Sequence, residues 1–396
     1  MKEGWTYKKL GEVGSFIRGG GFLKRDFVEN GIPCIHYGQI HTILGSVTKE
    51  HLTSIPETLR TKTRFASKGD VIFAITSEDV EGSCKCTAWM GDYDVAVGGH
   101  AAIYKHTLNP AYVSLFAKSP VFNKAKEEFV HGFKVMEIKP ADIAKIEIPV
   151  PPLSEQQRIV SRLDAAFSHI DELKANAEKQ LTEARALFQK SLAKAMKPKE
   201  GWKEKKLIEI THEKCPISYG IVQQGNHIDG GVPVVRPVDM REKYITRENL
   251  KCTTQTISDS YKRTILRGDE LLLSVRGTTG IISLATPELK GCNVNRGIVP
   301  LYFKDQFNKD FLYYEMVSPI LQSVFAEKTT GSTLKQINIK DLRLIKLSLP
   351  PLSEQQRIVE RLDALSAHVR KLEENQKKII SECDALKQAL LRKVFE

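Results

Sequence analysis

Cys84 and Cys86, one residue apart, come nearest to a metal-ligand pair in this chain. Structural zinc takes four thiolate or imidazole ligands, usually as two spaced pairs, and no second pair stands at such a spacing. The seven cysteines (Cys34, Cys84, Cys86, Cys215, Cys252, Cys292 and Cys383) are odd in number and scattered, which fits reduced thiols in a cytoplasm. His36, His41, His51, His100, His106 and His131 crowd the first half without the His-Glu-x-x-His spacing of a catalytic zinc site. Their counterparts in the second half are not histidine, so a catalytic role common to both halves is excluded. His36 and His41 are of a type that contacts bases or phosphates, although their spacing does not demand it.

Phosphate chemistry fares no better. Gly14 and Gly19 have the spacing of a nucleoside-triphosphate loop, but the lysine and hydroxyl residue that must follow are missing. Gly19, Gly20 and Gly21 follow an expected strand over 13–17, yet they do not form a dinucleotide fingerprint and read as a flexible turn. Also missing is the Asn/Asp-Pro-Pro-Tyr/Phe turn with which methylases of exocyclic base amines hold their target nitrogen. The chain shows no active site and no cofactor or metal site of its own.

What it shows instead is duplication. Residues 151–165, PPLSEQQRIVSRLDA, return as residues 350–364, PPLSEQQRIVERLDA, with only Ser161 and Glu360 different. Each copy follows a globular-looking segment and opens a long helical pattern. The start EGWTYKKL, with Gly4, Trp5, Lys8, Lys9 and Leu10, is answered by EGWKEKKL, with Gly201, Trp202, Lys205, Lys206 and Leu207, at an offset of 197. From Gly69 and Asp70 against Gly268 and Asp269 the offset is 199, held through Asn109/Asn308, Ser119/Ser318, Gly132/Gly331 and Asp142/Asp341. The two-residue change falls within 11–68, where the halves stop resembling each other. Shared parts are expected to meet the same partner twice.

The expected division is a domain over 1–150, a helix over 151–197, a second domain over 198–349 and a second helix over 350–396, two cores in 396 residues. The globular parts read as α/β (α+β). Apolar, β-branched runs at 71–76, 101–104, 271–275, 281–284 and 298–303 predict short strands. Helical periodicity follows at 111–118 and 121–128, and again at 311–317 and 320–327, split by Ser119-Pro120 and Ser318-Pro319. Ser154 with Gln157, and Ser353 with Gln356, predict capping boxes at the starts of the long helices.

In the second long helix Ile358, Leu362, Leu365, Val369, Leu372, Ile379, Cys383, Leu386 and Leu390 keep a strict heptad, interrupted by Gln376. The same register in the first helix gives Ile159, Leu163, Ala166, Ile170, Leu173, Ala177, Ala184 and Leu187, with Gln180; Leu181 and Phe188 sit one step off, which suggests a stutter after Leu173. Two such helices, separated by a whole domain, are expected to pair antiparallel in a pseudo-twofold arrangement. At ~1.5 Å per residue, a helix over 154–196 spans about 64 Å.

Lysine and arginine outnumber aspartate and glutamate by 59 to 48, a net +11 that suits a polyanionic partner. No apolar run approaches ~18 residues, and MKEGWTYKKL lacks the pattern of a signal peptide, so a soluble, cytoplasmic protein with no membrane partner is expected.

The doubled PPLSEQQRIV…RLDA helix entry, the GW…KKL start of each unit and the Gly-Asp step into a strand resemble the specificity subunit of type I restriction-modification systems, over the full length of the chain. That resemblance implies two target recognition domains held apart by antiparallel helices, each reading one half of a split duplex DNA sequence. It implies docking of two methyltransferase subunits on the repeated helices, with restriction subunits in the complete complex. Catalysis, S-adenosylmethionine, ATP and magnesium would belong to those partners. The diverged stretches 11–68 and 211–267 would read unlike half-sites, and helix length would act as a ruler for the unread spacer, one DNA turn being roughly 34–36 Å.

Base and phosphate contacts draw on Arg, Lys, Asn, Gln, Ser and Thr. In the first domain the candidates are Lys24 and Arg25 after the glycine run, Lys62 and Arg64 before the Gly-Asp strand, Ser77 after it, and Lys134 in the HGFK loop. In the second they are Gln223, Gln224 and Asn226, Lys262 and Arg263, Arg276 and Thr278 in SVRGTTG, and Lys335. Docking candidates are Pro151, Leu153, Glu155, Gln156 and Arg158, with Pro351 (through Pro350), Leu352, Glu354, Gln355 and Arg357 in the repeat. Two other readings stay open: a coiled-coil adaptor without DNA specificity, and a methylase or nuclease with unrecognised motifs.

Overall fold

The computed structural model describes residues 4–396. The chain divides into two compact units, one of residues 1–178 with 377–396 and one of residues 179–376. In each unit the repeated start is a strand that clasps the last strand of the same domain. Thr6–Lys9 runs antiparallel to Glu147–Val150, with Thr6 opposite Val150. Lys203–Lys206 runs antiparallel to Lys346–Leu349, with Lys203 opposite Leu349. The leucine ending each motif, Leu10 or Leu207, then enters the core fully buried. The GW…KKL repeat thus closes each domain next to its Pro-Pro exit.

The first domain places Gly14–Arg18, Ala101–His106, Val71–Ala74, Cys86–Trp89 and Val47–Thr48 side by side in one sheet. A second sheet holds Thr53–Ile55, Ile32–Ile35, Val95–Val97 and Arg64–Ala66. The second domain has a sheet of Tyr244–Ile245, Ile282–Ala285, Leu271–Ser274 and Ile298–Leu301, and a smaller one of Lys251–Thr253, Val232–Val235 and Asn293–Val294. Pairing is mixed and mainly antiparallel, so the architecture is α+β. Helices Pro110–Ala117 and Pro120–Lys126 meet where Ser119 accepts the N–H of Phe122; Ser318 does the same for Leu321 ahead of Pro319–Lys328. Proline suits the first helical position because its missing N–H would have no intrahelical partner there.

The expected flexible turn at Gly19–Gly21 is instead a packing point for its first two glycines. A Cβ on Gly19 would lie 2.2 Å from the Gly98 carbonyl oxygen, and one on Gly20 would lie 2.4 Å from the Thr63 Cα. Only glycine admits that approach. The thiols also have a plain structural account. Cys84 and Cys86 are buried, and burial pushes their pKa values up to about 12 and about 11, which keeps them protonated. Among the described residues no group of three metal donors converges, and no helix is long and apolar enough to cross a membrane.

Two helices, Leu153–Ala195 and Leu352–Phe395, run 43 and 44 residues. In the first unit Ile159 and Leu163 from the start of one helix share a core with Leu391 and Phe395 from the end of the other. The Phe395 ring sits 5.3 Å from Tyr112 and 5.4 Å from Phe116. In the second unit Leu192 and Met196 share a core with Ile358, Val359 and Leu362. The antiparallel sense is fixed within each unit. Lys174 pairs with Asp384 at 2.8 Å and Asp171 with Lys387 in the first; Arg185 pairs with Glu373 at 2.7 Å and Gln376 donates to Gln180 at 3.0 Å in the second.

The seam differs from the expected heptad at one of its two positions. Leu163, Ile170, Ala177 and Ala184 are buried, but their companions are the half-buried Phe167, Lys174, Leu181 and Phe188, while Leu173 and Leu187 are 58 and 57 % exposed. There is no stutter: Leu181 and Phe188 are in register from the start. The second helix likewise turns Ser366, Glu373, Ile380 and Lys387 inward beside Leu362, Val369, Gln376 and Cys383, leaving Leu372, Ile379 and Leu386 exposed. Lys174, Glu373 and Lys387 tolerate the seam because each reaches an opposite charge on the facing helix, and the Lys387 ammonium also lies 5.3 Å over the Phe167 ring.

Candidate nucleic-acid and docking surfaces

The helix entrance departs from the expected capping box. Helix begins at Leu153, one residue before Ser154, and the Pro152 carbonyl accepts the N–H groups of Glu155 and Gln156; Pro351 serves Glu354 and Gln355 in the same way. The working glutamines are therefore Gln156 and Gln355, not Gln157 and Gln356. Both are only 2 % exposed and tie the helix to its own domain. Gln156, Gln355 and the buried Pro151 with its repeat Pro350 are thus withdrawn as docking residues. Leu153, Arg158, Pro351, Leu352 and Arg357 remain on the surface. Glu155 is held by Arg158 at 2.7 Å, and Glu354 by Lys199 at 3.3 Å and Arg357 at 3.8 Å. The exposed apolar stripe adds residues that the heptad reading had assigned to the seam: Leu173, Ile379 and Leu386 in the first unit, Leu187 and Leu372 in the second.

The second unit carries a brace that the first lacks. Lys243 lies 3.1 Å from both Asp310 and Asp363, and the Tyr314 hydroxyl donates to Asp363 at 2.6 Å. Burial pulls the Lys243 pKa down, but the bonds to Asp310 and Asp363 and the surrounding negative charge outweigh it and hold the ammonium protonated. In the first unit Asp164, the counterpart of Asp363, is pushed upward by burial.

Among the first domain's candidates, Ser77 and Lys134 come together. Thr76–Ser77 pairs with Met136–Glu137, which turns back on His131–Gly132, so Lys134 rides the hairpin tip beside Phe133, 92 % exposed. Gly132, with φ at +144°, makes that tip; a Cβ there would sit 2.0 Å from the Val135 carbonyl oxygen. Lys24 and Arg25 are exposed on a short turn over Lys24–Asp26, and Lys62 is exposed where its backbone passes Gly20. Arg64 is exposed and spends one guanidinium N–H on the Thr63 carbonyl at 3.1 Å.

The second domain repeats the hairpin. Arg276 bridges to Gln336, and the Gly277 N–H donates to the Lys335 carbonyl at 2.9 Å, so Arg276, Thr278 and Lys335 share one edge. The Arg276 Nε is buried without a partner in the described structure. Gln223 and Asn226 are exposed on their loop, whereas Gln224 is half buried and donates to the Lys251 carbonyl at 3.3 Å. Lys262 and Arg263 are exposed on a separate turn, Lys262–Thr264.

Composition and spacing did not bring out one cluster. His36, Tyr37, His41 and His100 meet because Ile32–Ile35 lies parallel to Val95–Val97, with Cys34 opposite Ala96, so the residues just past both strands become neighbours. Tyr37 and His100 are 63 positions apart in the chain. No periodic pattern could have joined them; the one available hint was the crowding of histidines into a single half.

Two copies of a mixed domain, each braced on its own long helix, shared in their bracing and diverged in their loops, define a tandem recognition scaffold. Both copies match the model for the type I restriction modification DNA specificity domain, over residues 2–183 and 199–382, and the chain belongs to that family. It is similar to the EcoKI specificity subunit of Escherichia coli (strain K12), 23 % identical across 100 % of this chain and 89 % of that one. The EcoBI specificity subunit of Escherichia coli is 25 % identical over 63 % of this chain and 57 % of its own length. Among solved structures, a chain from work on assembly and conformational transition of the type I R-M system superposes with a TM-score of 0.80, 23 % identity and coverage of 99 % of this chain and 97 % of that one. The HsdS subunit from Thermoanaerobacter tengcongensis gives 0.58 at 21 % identity, covering 100 % and 97 %.

Proposed function

We propose that this chain selects an asymmetric, bipartite duplex sequence, each domain reading one half, and carries that choice to catalytic partners. The observation that supports it most is the split within the repeat. The glutamine braces that tie each long helix to its domain, Gln156 on Asn109 and Gln355 on Asn308, recur with the motif around them almost residue for residue, whereas 11–68 and 211–267 share little. A scaffold that holds one kind of partner twice while meeting two different ligands would diverge in that way.

In this reading the exposed leucines Leu173, Leu187, Leu372 and Leu386, with Leu153 and Leu352, receive apolar helix faces of two methyltransferase subunits. Each is matched by another at the 199-residue offset, so the same surface is offered twice. S-adenosylmethionine, ATP and magnesium belong to the methyltransferase and restriction partners. Ser77 and Lys134 in the first domain, and Arg276, Thr278 and Lys335 in the second, are the candidates that local structure supports best for DNA, with the remaining exposed cations as phosphate contacts. The long helices, each about 64–66 Å at ~1.5 Å per residue, set the unread spacer.

The test is to map methylated positions in DNA modified by the chain together with its methyltransferase. A split motif is expected, and deleting seven residues from both long helices, two turns apiece, is expected to change the spacer while leaving both half-sites intact. A single contiguous motif, or no motif, would overturn the reading.

A further inference from the structure

The first domain has a concave wall lined by aromatic and imidazole rings. Two adjoining cavities, of about 340 and 740 Å³, share Tyr37, Gly38 and His100. Tyr37 sits at their junction, 5.1 Å from the His100 ring and 5.9 Å from the His41 ring, while His36 stacks on Phe27 at 4.9 Å. An aromatic ring that folding leaves 40 % exposed between imidazoles is available for a flat ligand.

The hydrogen-bonding state of the wall is partly fixed. His41 Nε2 lies 2.9 Å from the Thr76 carbonyl, which can only accept, so that nitrogen carries a proton. Burial, helped by the Lys24 charge, lowers the His36 pKa. Glu78, Asp79 and Glu81 line the larger cavity with Lys85, and Lys24 lines the smaller. Carboxylates and imidazoles facing one wall, with ammonium groups beside them, suit bases flanked by phosphates better than a bare polyanion.

The second domain is built differently at the same strand end. There Arg236 follows Val232–Val235 and is held to Asp239 by two bonds of 2.8 and 3.0 Å. Three of the four wall residues, His36, Tyr37 and His41, fall in the diverged stretch 11–68.

We propose that His36, Tyr37, His41 and His100 form the base-reading wall of the first domain, with Tyr37 offering a ring face to a base or a thymine methyl group and the imidazoles contacting base edges of a DNA duplex. This rests on the reading of the chain as a DNA specificity subunit. The effect of the wall in this reading is on which bases are accepted.

The experiment uses the full chain with its methyltransferase on a library of random-sequence duplexes, reading the methylated motif by sequencing. Tyr37→Ala and His100→Ala are each expected to lose about five- to hundredfold discrimination at one or two positions of one half-site, with the other half-site unchanged. His100 is exposed, so its variant decides the question if the Tyr37 variant does not assemble. A motif unchanged in both halves, or a uniform fall in methylation with the same motif, would overturn the proposal. A wild-type complex that yields no motif overturns the specificity reading itself and the proposal with it, which separates the two failures.

Discussion

The side-chain carbonyl of Gln156 accepts the backbone N–H of Asn109 at 2.8 Å, and the same amide donates to the Pro151 carbonyl at 2.9 Å. Asn109 is itself the cap of the helix Pro110–Ala117, accepting the Tyr112 N–H at 3.1 Å. One glutamine on the long helix therefore fixes both the chain's exit from the domain and the start of a core helix. Gln355 repeats the arrangement with Asn308 at 3.0 Å and Pro350 at 2.8 Å. The fixed glutamine in the repeated motif is accounted for by this brace.

Gln156→Glu is the sharpest test of it. The new carboxylate can still accept from Asn109, but its other oxygen faces the Pro151 carbonyl with no proton between them. A buried, unpaired polar contact of that kind costs about 1–3 kcal/mol, so the urea midpoint should fall by an equivalent amount, and Gln355→Glu should behave alike. The exposed neighbour Gln157→Ala should change stability by less than about 0.5 kcal/mol. Equal effects at 156 and 157 would show that the amide is not the brace.

Much of the scaffold was legible in the sequence because it is made of local patterns. Asn109/Asn308 and Ser119/Ser318 matched at a constant offset, and they prove to be caps, whose geometry involves neighbours three residues away. The long helices were legible as helices, but their facing residues were not. Leu173 and Leu187 fit an apolar heptad better than Lys174 does, yet Lys174 turns inward because Asp384 on the facing helix supplies its counter-charge. That choice is made by a residue 210 positions away. The wall of His36, Tyr37 and His100 was hidden for the same reason, being assembled by a parallel strand pairing. Ser77 and Lys134 were named separately, and only the pairing of Thr76–Ser77 with Met136–Glu137 brings them to one edge.

His106 should make the first unit sensitive to acid. Its Nδ1 accepts the Leu108 N–H at 3.2 Å, its ring stacks 4.8 Å from Tyr104, and its Nε2 is buried without a partner in the described structure. Burial pushes its pKa down to about 4, against a smaller upward pull from Asp70. The unfolded chain takes up this proton near pH 6.5 and the folded chain only near 4, so stability falls as pH drops through that window, by up to about 3 kcal/mol. His106→Asn keeps an acceptor for Leu108 and should flatten this part of the profile of urea midpoint against pH. An unchanged slope would place the acid sensitivity elsewhere.

Glu315 should act in the opposite direction in the second unit. The position answers to Phe116 of the first domain, and the carboxylate is just as enclosed, 6 % exposed, accepting the Ser348 N–H at 3.2 Å through one oxygen while the other has no partner in the described structure. Burial pushes its pKa up to about 7, and the single bond from Ser348 offsets only part of that rise. The folded state therefore holds a proton that the unfolded chain releases near pH 4.5, so stability declines as pH rises from about 4.5 to 7 and is lowest once the buried carboxylate ionises. At about 1.4 kcal/mol per pKa unit the whole effect is about 3 kcal/mol. Glu315→Gln stays neutral and retains an acceptor for Ser348, so at pH 8 it should unfold at a higher temperature and a higher urea concentration than the wild type. Near pH 4.5, where the wild-type carboxyl is protonated, the two should converge. A glutamine variant less stable than wild type at pH 8 would mean that the carboxylate is ionised and satisfied in the native state. The second domain would then tolerate a negative charge where the first domain keeps a phenyl ring.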